Sequence, residues 1–322
     1  MAVQGTTEEA SISKLSAANL GYFEDSFLQY FVRPAQAGGY RRSPLVHRGY
    51  ASRVAAIRSV ITQFLECCET AQTGNSQIVN LGAGLDSLSF WILTTAALSA
   101  HMQQKITIFE VDHAEIVSRK SQIIARTPQL AAALGDRKDR LRLIGADLRD
   151  VENLKSSLCA AGMDANAPTL FIAECVLIYM HAEHSDKLLK WTSEAVHNQF
   201  SAVAVYEQTN PHDAFGKVMV KTLAERECPL LGIFAYPSLE LQFDRFVKAG
   251  YDEVDVRNLN DIFDHCTEDV ERIKKIEMFD EFEEWRLMQS HYFVAVASKF
   301  PNDLARRHFG VFANIWSRHL SK

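Results

Sequence analysis

The chain has 322 residues, 47% hydrophobic and 23% charged, a balance ordinary for a folded soluble protein and sufficient to bury a substantial core. Its formal net charge is -6 and no basic run exceeds Arg41-Arg42 or Lys274-Lys275, which argues against a nucleic-acid partner, since phosphate binding leans on clustered Lys and Arg. The six cysteines show no CxxC pair or zinc-type spacing and read as reduced thiols of a cytoplasmic protein; no secretory segment is visible, and the apolar stretches 88–98 and 170–180 are too short and interrupted to span a bilayer of about 30 Å.

In chain order, residues 1–10 are expected to be disordered and 12–32 to form one or two helices anchored by Tyr22, Phe23, Phe27, Tyr30 and Phe31. A turn-rich link, 34–44, follows. Over 46–68 the residues Val54, Ile57, Val60, Ile61, Phe64 and Leu65 recur at helical spacing, which predicts an amphipathic helix delivering Arg53 near its start. Strands are then expected at 77–81, 106–111, 140–145, 169–173 and 202–206, alternating with helices at 87–97, 113–125, 151–161 and 184–196. Two helices are expected between 214 and 249. Segments 251–259 and 291–299 have strand composition without room for another crossover, which suits an antiparallel pair at a sheet edge. The pattern predicts one α/β domain at 71–300 built on a mostly parallel sheet, preceded by a helical segment at 1–70 that forms part of the site.

The first strand runs into Asn80-Leu81-Gly82-Ala83-Gly84, and neither glycine carries a Cβ that would keep a ligand from the backbone. The helix that follows adds unpaired N–H groups. A plain tight turn is the competing reading. Ser87 stands where a dinucleotide fingerprint wants its third glycine, which disfavours a pyrophosphate and leaves room for a phosphate-free methyl-donor cofactor. Asp112, 28 residues after Gly84, ends the second strand, where a carboxylate accepts hydrogen bonds from ribose hydroxyls; with Glu115 it also has the form of a helix cap. Asp147 follows the third strand and meets an adenine edge or caps a helix, with Leu148 placed to cover the ring. Glu174, enclosed by apolar residues on both sides, requires an ion pair or an open strand end.

The string Gln77-Ile78-Val79-Asn80-Leu81-Gly82-Ala83-Gly84-Leu85-Asp86 stands with Phe109-Glu110-Val111-Asp112, Ile144-Gly145-Ala146-Asp147-Leu148-Arg149-Asp150, Ile172-Ala173-Glu174-Cys175-Val176-Leu177 and Tyr206-Glu207-Gln208. Together these closely resemble the leucine carboxyl methyltransferases, over residues 14–299. These enzymes methylate the C-terminal leucine of the protein phosphatase 2A catalytic subunit; related enzymes that act on a hypermodified guanosine of transfer RNA share the fold and some motifs. The resemblance implies a class I S-adenosylmethionine-dependent methyltransferase, with a Rossmann-like seven-stranded sheet and an antiparallel edge strand. It also implies S-adenosylmethionine as cofactor without a metal, the phosphatase subunit as partner, and a monomer. Gly82, Gly84, Asp112, Asp147, Leu148 and Glu174 would line the cofactor site. Arg53 and Lys14 match the family's cations for the methionine carboxylate, with Arg48 an alternative to Arg53. Arg149 and Tyr179, just past the matched strings, are candidates for orienting the acceptor carboxylate. The extension at 301–322 is expected to form an amphipathic helix through Phe309, Val311, Phe312, Ile315 and Trp316.

Overall fold

The computed structural model describes residues 2–33, 42–266, 270–303, 305–307 and 309. Seven strands, β1 (Ser76–Leu81), β2 (Ile106–Asp112), β3 (Leu141–Gly145), β4 (Thr169–Glu174), β5 (Ser201–Gln208), β6 (Glu253–Asn258) and β7 (Tyr292–Lys299), form one sheet in the order β3-β2-β1-β4-β5-β7-β6. The first five pair in parallel, and β7 runs antiparallel between β5 and β6. The antiparallel pair expected at the edge is therefore present, with the last strand inserted one place inward.

Alternation along the strands divides the interior in two. Ile78, Ala202, Ala204, Val294 and Val296 enter one core; Val79, Leu81, Val203, Val205, Phe293 and Ala295 enter the other. The first core is covered by α2 (Pro44–Thr70) and α3 (Leu88–Thr94), whose Ile57, Val60, Phe64 and Phe90 are buried. It also receives Ile116 from α5 (Ala114–Arg126), which follows the short α4 (Ala100–Lys105), and Leu130 from α6 (Pro128–Leu134). The second is covered by α7 (Val151–Ala160), α8 (Ala182–Glu194) and, beyond α9 (Ala214–Glu225), by α10 (Leu239–Lys248), through Leu154, Leu188, Trp191 and Phe246. Helices on both faces explain why the strands read as nearly continuous apolar runs.

The N-terminal expectation is corrected. Rather than a disordered stretch at residues 1–10, α1 (Ala2–Asn19) begins at the second residue. Its polar composition is matched by partners elsewhere: Glu8 meets Arg119 at 2.5 Å, Glu9 meets Arg42 at 2.6 Å, and Ser11 donates to the Leu85 carbonyl at 3.3 Å. Polar tertiary contacts hold the first half of this helix, and burial of Leu15 and Ala17 holds the second. Helices α4 and α6 were not anticipated, nor were α11 (Leu259–Cys266), α12 (Val270–Lys274) and α13 (Phe282–Gln289), all at most eight residues long and too short for a clear period. In the extension, Phe309 stacks on Phe200 at 4.2 Å between centroids; Val311, Phe312, Ile315 and Trp316 lie outside the described residues, as does most of the link after Pro34.

Beneath the glycine turn sits a buried ion pair. Glu110 on β2 lies 2.5 Å from Lys120 on α5, both almost fully enclosed, and Ser89 on α3 donates to the other carboxylate oxygen. The pair, with Ser89, ties two helices to β2.

Among the described residues no helix is long and apolar enough to cross a membrane.

Candidate active site

Strands β1 to β4 all end at one edge of the sheet, where Leu81, Asp112, Gly145 and Glu174 lie close to one another in register. Sheet order reverses between β1 and β4, and such a reversal opens a crevice at the carboxyl ends of the strands. A cavity of about 1270 Å³ occupies it. That exceeds the range of about 300–1,000 Å³ usual for one small ligand, so there is space for two reactants.

The turn after β1 is built for close backbone approach. Gly82 has φ +70° and Gly84 φ +55°, and the N–H groups of Gly82 and Ala83 donate to the Val111 carbonyl at 2.8 and 3.1 Å. A Cβ on Gly82 would lie 2.6 Å from a Val176 methyl, so the turn and the loop after β4 are in mutual contact. Asp112 accepts from the Gly84 N–H at 2.7 Å and from the His113 N–H at 2.7 Å. It does not cap α5, whose N-cap position is His113 with no side-chain bond. The carboxylate instead fixes the glycine turn and lines the cavity. Asp147 likewise leaves the capping of α7 to Asp150, which accepts from Asn153 at 3.1 Å.

Arg149 is turned back onto Asp147, with Nε at 2.9 Å and Nη2 at 2.6 Å from its oxygens. These bonds hold the Asp147 carboxyl down at about 2. Tyr179, the other candidate for orienting an acceptor, lies in the cavity wall. Leu148, buried, also lines the cavity.

Glu174 satisfies both conditions set by its sequence: it ends a strand, and it accepts from Arg53 Nε at 2.6 Å. Burial works against the Arg53 charge, but Glu174 and the neighbouring groups raise the guanidinium well above its ordinary range. Arg53 also stands 4.9 Å from the Tyr206 ring centroid. Arg48, the alternative, points elsewhere. Its guanidinium lies 4.2 Å over Phe279 and it takes no part in the cavity wall. Lys14 reaches the cavity from α1 and contacts both oxygens of Asp86, at 2.8 and 2.9 Å. Burial would raise Asp86, but Lys14, with Lys120 and Arg53, holds it at about 2.

Sequence reasoning missed the far wall. Tyr50 on α2, Tyr206 on β5 and Tyr292 on β7 join Tyr179 there, with Gln208 and Met288. Burial pushes all four phenols up, so each keeps its proton and remains a neutral donor. Gln208 Oε1 is buried without a hydrogen-bond partner. Tyr206 and Gln208 belong to a quoted string, and the period of two in β5 was the available signal that they share a face. Nothing local marked Tyr292, which arrives from a distant strand.

The sheet order with its inserted antiparallel strand, and the glycine turn at the switch point, define the class I S-adenosylmethionine-dependent methyltransferase fold. Residues 2–193 match the leucine carboxyl methyltransferase family, and the chain belongs to it. It is 37% identical to human (Homo sapiens) tRNA wybutosine-synthesizing protein 4 over 92% of this chain and 44% of that protein, so it spans less than half of that relative's length. It is 35% identical to leucine carboxyl methyltransferase 1 of Bos taurus, over 94% of this chain and 91% of the relative. Among solved structures, a putative methyltransferase from Thermobifida fusca aligns with a TM-score of 0.48 at 14% identity, covering 82% of this chain and 91% of its own.

Proposed function

We propose that the protein transfers a methyl group from S-adenosylmethionine to the α-carboxylate of the C-terminal leucine of the protein phosphatase 2A catalytic subunit. The observation that carries this reading is the cavity itself, in which the acidic strand ends and a wall of neutral tyrosines share one space and Arg53 stands against both, bonded to Glu174 and beside the Tyr206 ring. The donor set suits S-adenosylmethionine: glycines without a Cβ, carboxylates for ribose and adenine edges, and Arg53 for the amino-acid carboxylate. Lys14, closed onto Asp86, is placed to serve that same end. When bound, S-adenosylmethionine supplies an electrophilic methyl group on a sulfonium.

The acceptor requires no base. A terminal carboxylate has an ordinary pKa of about 3.5 and is already an anion near neutral pH. The protein's work is to hold that anion and strip it of water. Tyr179, with Tyr206 and Tyr292 beside it, donates to it without a full counter-charge, which leaves the oxygen nucleophilic. Met288 and Leu223 give an isobutyl side chain an apolar seat. Arg149, bound to Asp147, supports the cofactor end in this reading.

Arg53→Ala and Asp112→Ala are each expected to remove charged hydrogen bonds of about 1.5–3 kcal/mol, a roughly ten- to hundredfold loss of S-adenosylmethionine affinity in calorimetric titration. Wild-type affinity in both variants would sink the cofactor assignment. For the acceptor, methyl transfer is expected to the intact phosphatase catalytic subunit and not to the subunit lacking its last leucine. The similarity to a tRNA wybutosine-synthesizing protein favours a second reading, a carboxylate on a modified tRNA nucleoside. Transfer to undermodified tRNA with none to the phosphatase would establish it instead.

A further inference from the structure

Of the three residues Tyr206-Glu207-Gln208, only the middle one has no place in the cavity wall. Glu207 lies between Tyr206 and Gln208 on β5, and the alternation of the strand sends its side chain to the opposite face, where it is fully buried. Its Oε1 accepts from the Ile178 N–H at 2.8 Å and from the Val176 N–H at 3.3 Å. Its Oε2 is buried and has no hydrogen-bond partner.

We infer that Glu207 is a positioning residue for the methyl-transfer site, acting through the backbone of the loop that joins β4 to α8. That loop carries three features of the site. Cys175 has φ +54°, a left-handed conformation that costs a non-glycine residue about 1–2 kcal/mol and needs something to hold it. Val176 presses on the glycine turn at Gly82. Tyr179 lines the acceptor wall. Besides Glu207, this stretch is held by the bonds from the Cys175 N–H to the Tyr206 carbonyl at 2.7 Å and from the Gly232 N–H to the Ile178 carbonyl at 2.9 Å, and by burial of Leu177 and Ile178. Glu207 thus closes a clamp in which β5 holds the loop by a backbone carbonyl in the plane of the sheet and by a side chain from one face.

The carboxylate is retained there at a cost. Burial pushes Glu207 up to about 7 even against Arg245 and the loop N–H groups. An amide of the same length would still accept from both N–H groups and would carry no charge penalty. An apolar side chain of similar volume would instead leave two N–H groups without an acceptor.

The inference rests on the cofactor reading, and its test separates the two. Wild type, Glu207→Gln and Glu207→Leu would be titrated with S-adenosylmethionine by calorimetry, and hydrogen exchange followed at the amides of residues 176 and 178. The Gln variant keeps an acceptor and is expected to bind within about threefold of wild type. The Leu variant is expected to bind at least about tenfold more weakly, with exchange at 176 and 178 accelerated by a similar factor and exchange in β1 unchanged. Wild-type affinity in Glu207→Leu, or equal losses in the Gln and Leu variants, would overturn the role of Glu207. Absence of binding by wild type would overturn the cofactor reading itself. Should Glu207→Leu not fold, Glu207→Asp keeps the charge and loses reach: weaker binding with faster exchange at 176 and 178 supports the clamp, and wild-type behaviour refutes it.

Discussion

Replacing Lys120 by methionine is expected to destabilise the protein by about 3–5 kcal/mol, the cost of stranding one member of a buried ion pair. The partner left behind, Glu110, is only 1% exposed and would keep one hydrogen bond, from Ser89. Urea denaturation at pH 8 would show the loss. Lowering the pH should relieve it. Burial already raises Glu110 above its ordinary 4.5, and Lys120 pulls it back; without Lys120 the folded-state value rises further. The deficit is then fully present above that raised value and shrinks as pH falls toward 4.5, where the folded protein binds the extra proton. The double replacement Glu110→Leu with Lys120→Met should recover most of the stability, since an apolar pair carries no desolvation cost. A single variant as stable as wild type at pH 8 would mean that the pair contributes nothing net to stability there.

The second large effect concerns ligand affinity. Gly82→Ala places a Cβ at φ +70°, a backbone strain of about 1–2 kcal/mol, and drives it against Val176 methyls at 2.6 and 3.0 Å. Val176 is β-branched with restricted χ1, so the loop must yield rather than the side chain. S-adenosylmethionine affinity is expected to fall at least about a hundredfold, equivalent to about 2.7 kcal/mol. Adding Val176→Ala removes the clash and leaves the strain, so the double variant should recover part of the loss. Equal affinities of the single and double variants would show that contact with Val176 is irrelevant to the turn.

Much of the parallel half of the sheet was legible because its physics is local. Residues 77–81 and 106–111 are apolar runs closed by Gly82 and Asp112, and the strands β1 and β2 extend them by one residue each. Asp112, Asp147 and Glu174 could be placed because the first and last end strands and Asp147 stands two residues past one, and strand ends share an edge whatever the loops do. What could not be read was anything decided by distant contact. The first half of α1 depends on Arg119, Arg42 and the glycine turn, so residues 1–10 alone resemble a disordered segment. Arg149 was legible as a cation near the site, yet its pairing with Asp147 depends on the turn that brings the two side chains round. The choice between Arg48 and Arg53 rested on which face of α2 met the crevice, and that is fixed by Phe279 and Glu174, far apart in sequence. The tyrosine wall draws on α2, the loop after β4, β5 and β7, and no single window contains it.

The insertion of β7 between β5 and β6 bears on how the protein is made. A chain emerging from the ribosome presents β5 and β6 before residues 292–299 exist, and until then both strands offer unpaired backbone edges, the kind of surface that seeds aggregation. The strand that silences those edges also brings Tyr292 to the cavity. Completion of the sheet and completion of the tyrosine wall are thus a single event, so a nascent chain does not hold a finished cavity while β5 and β6 await their shared partner.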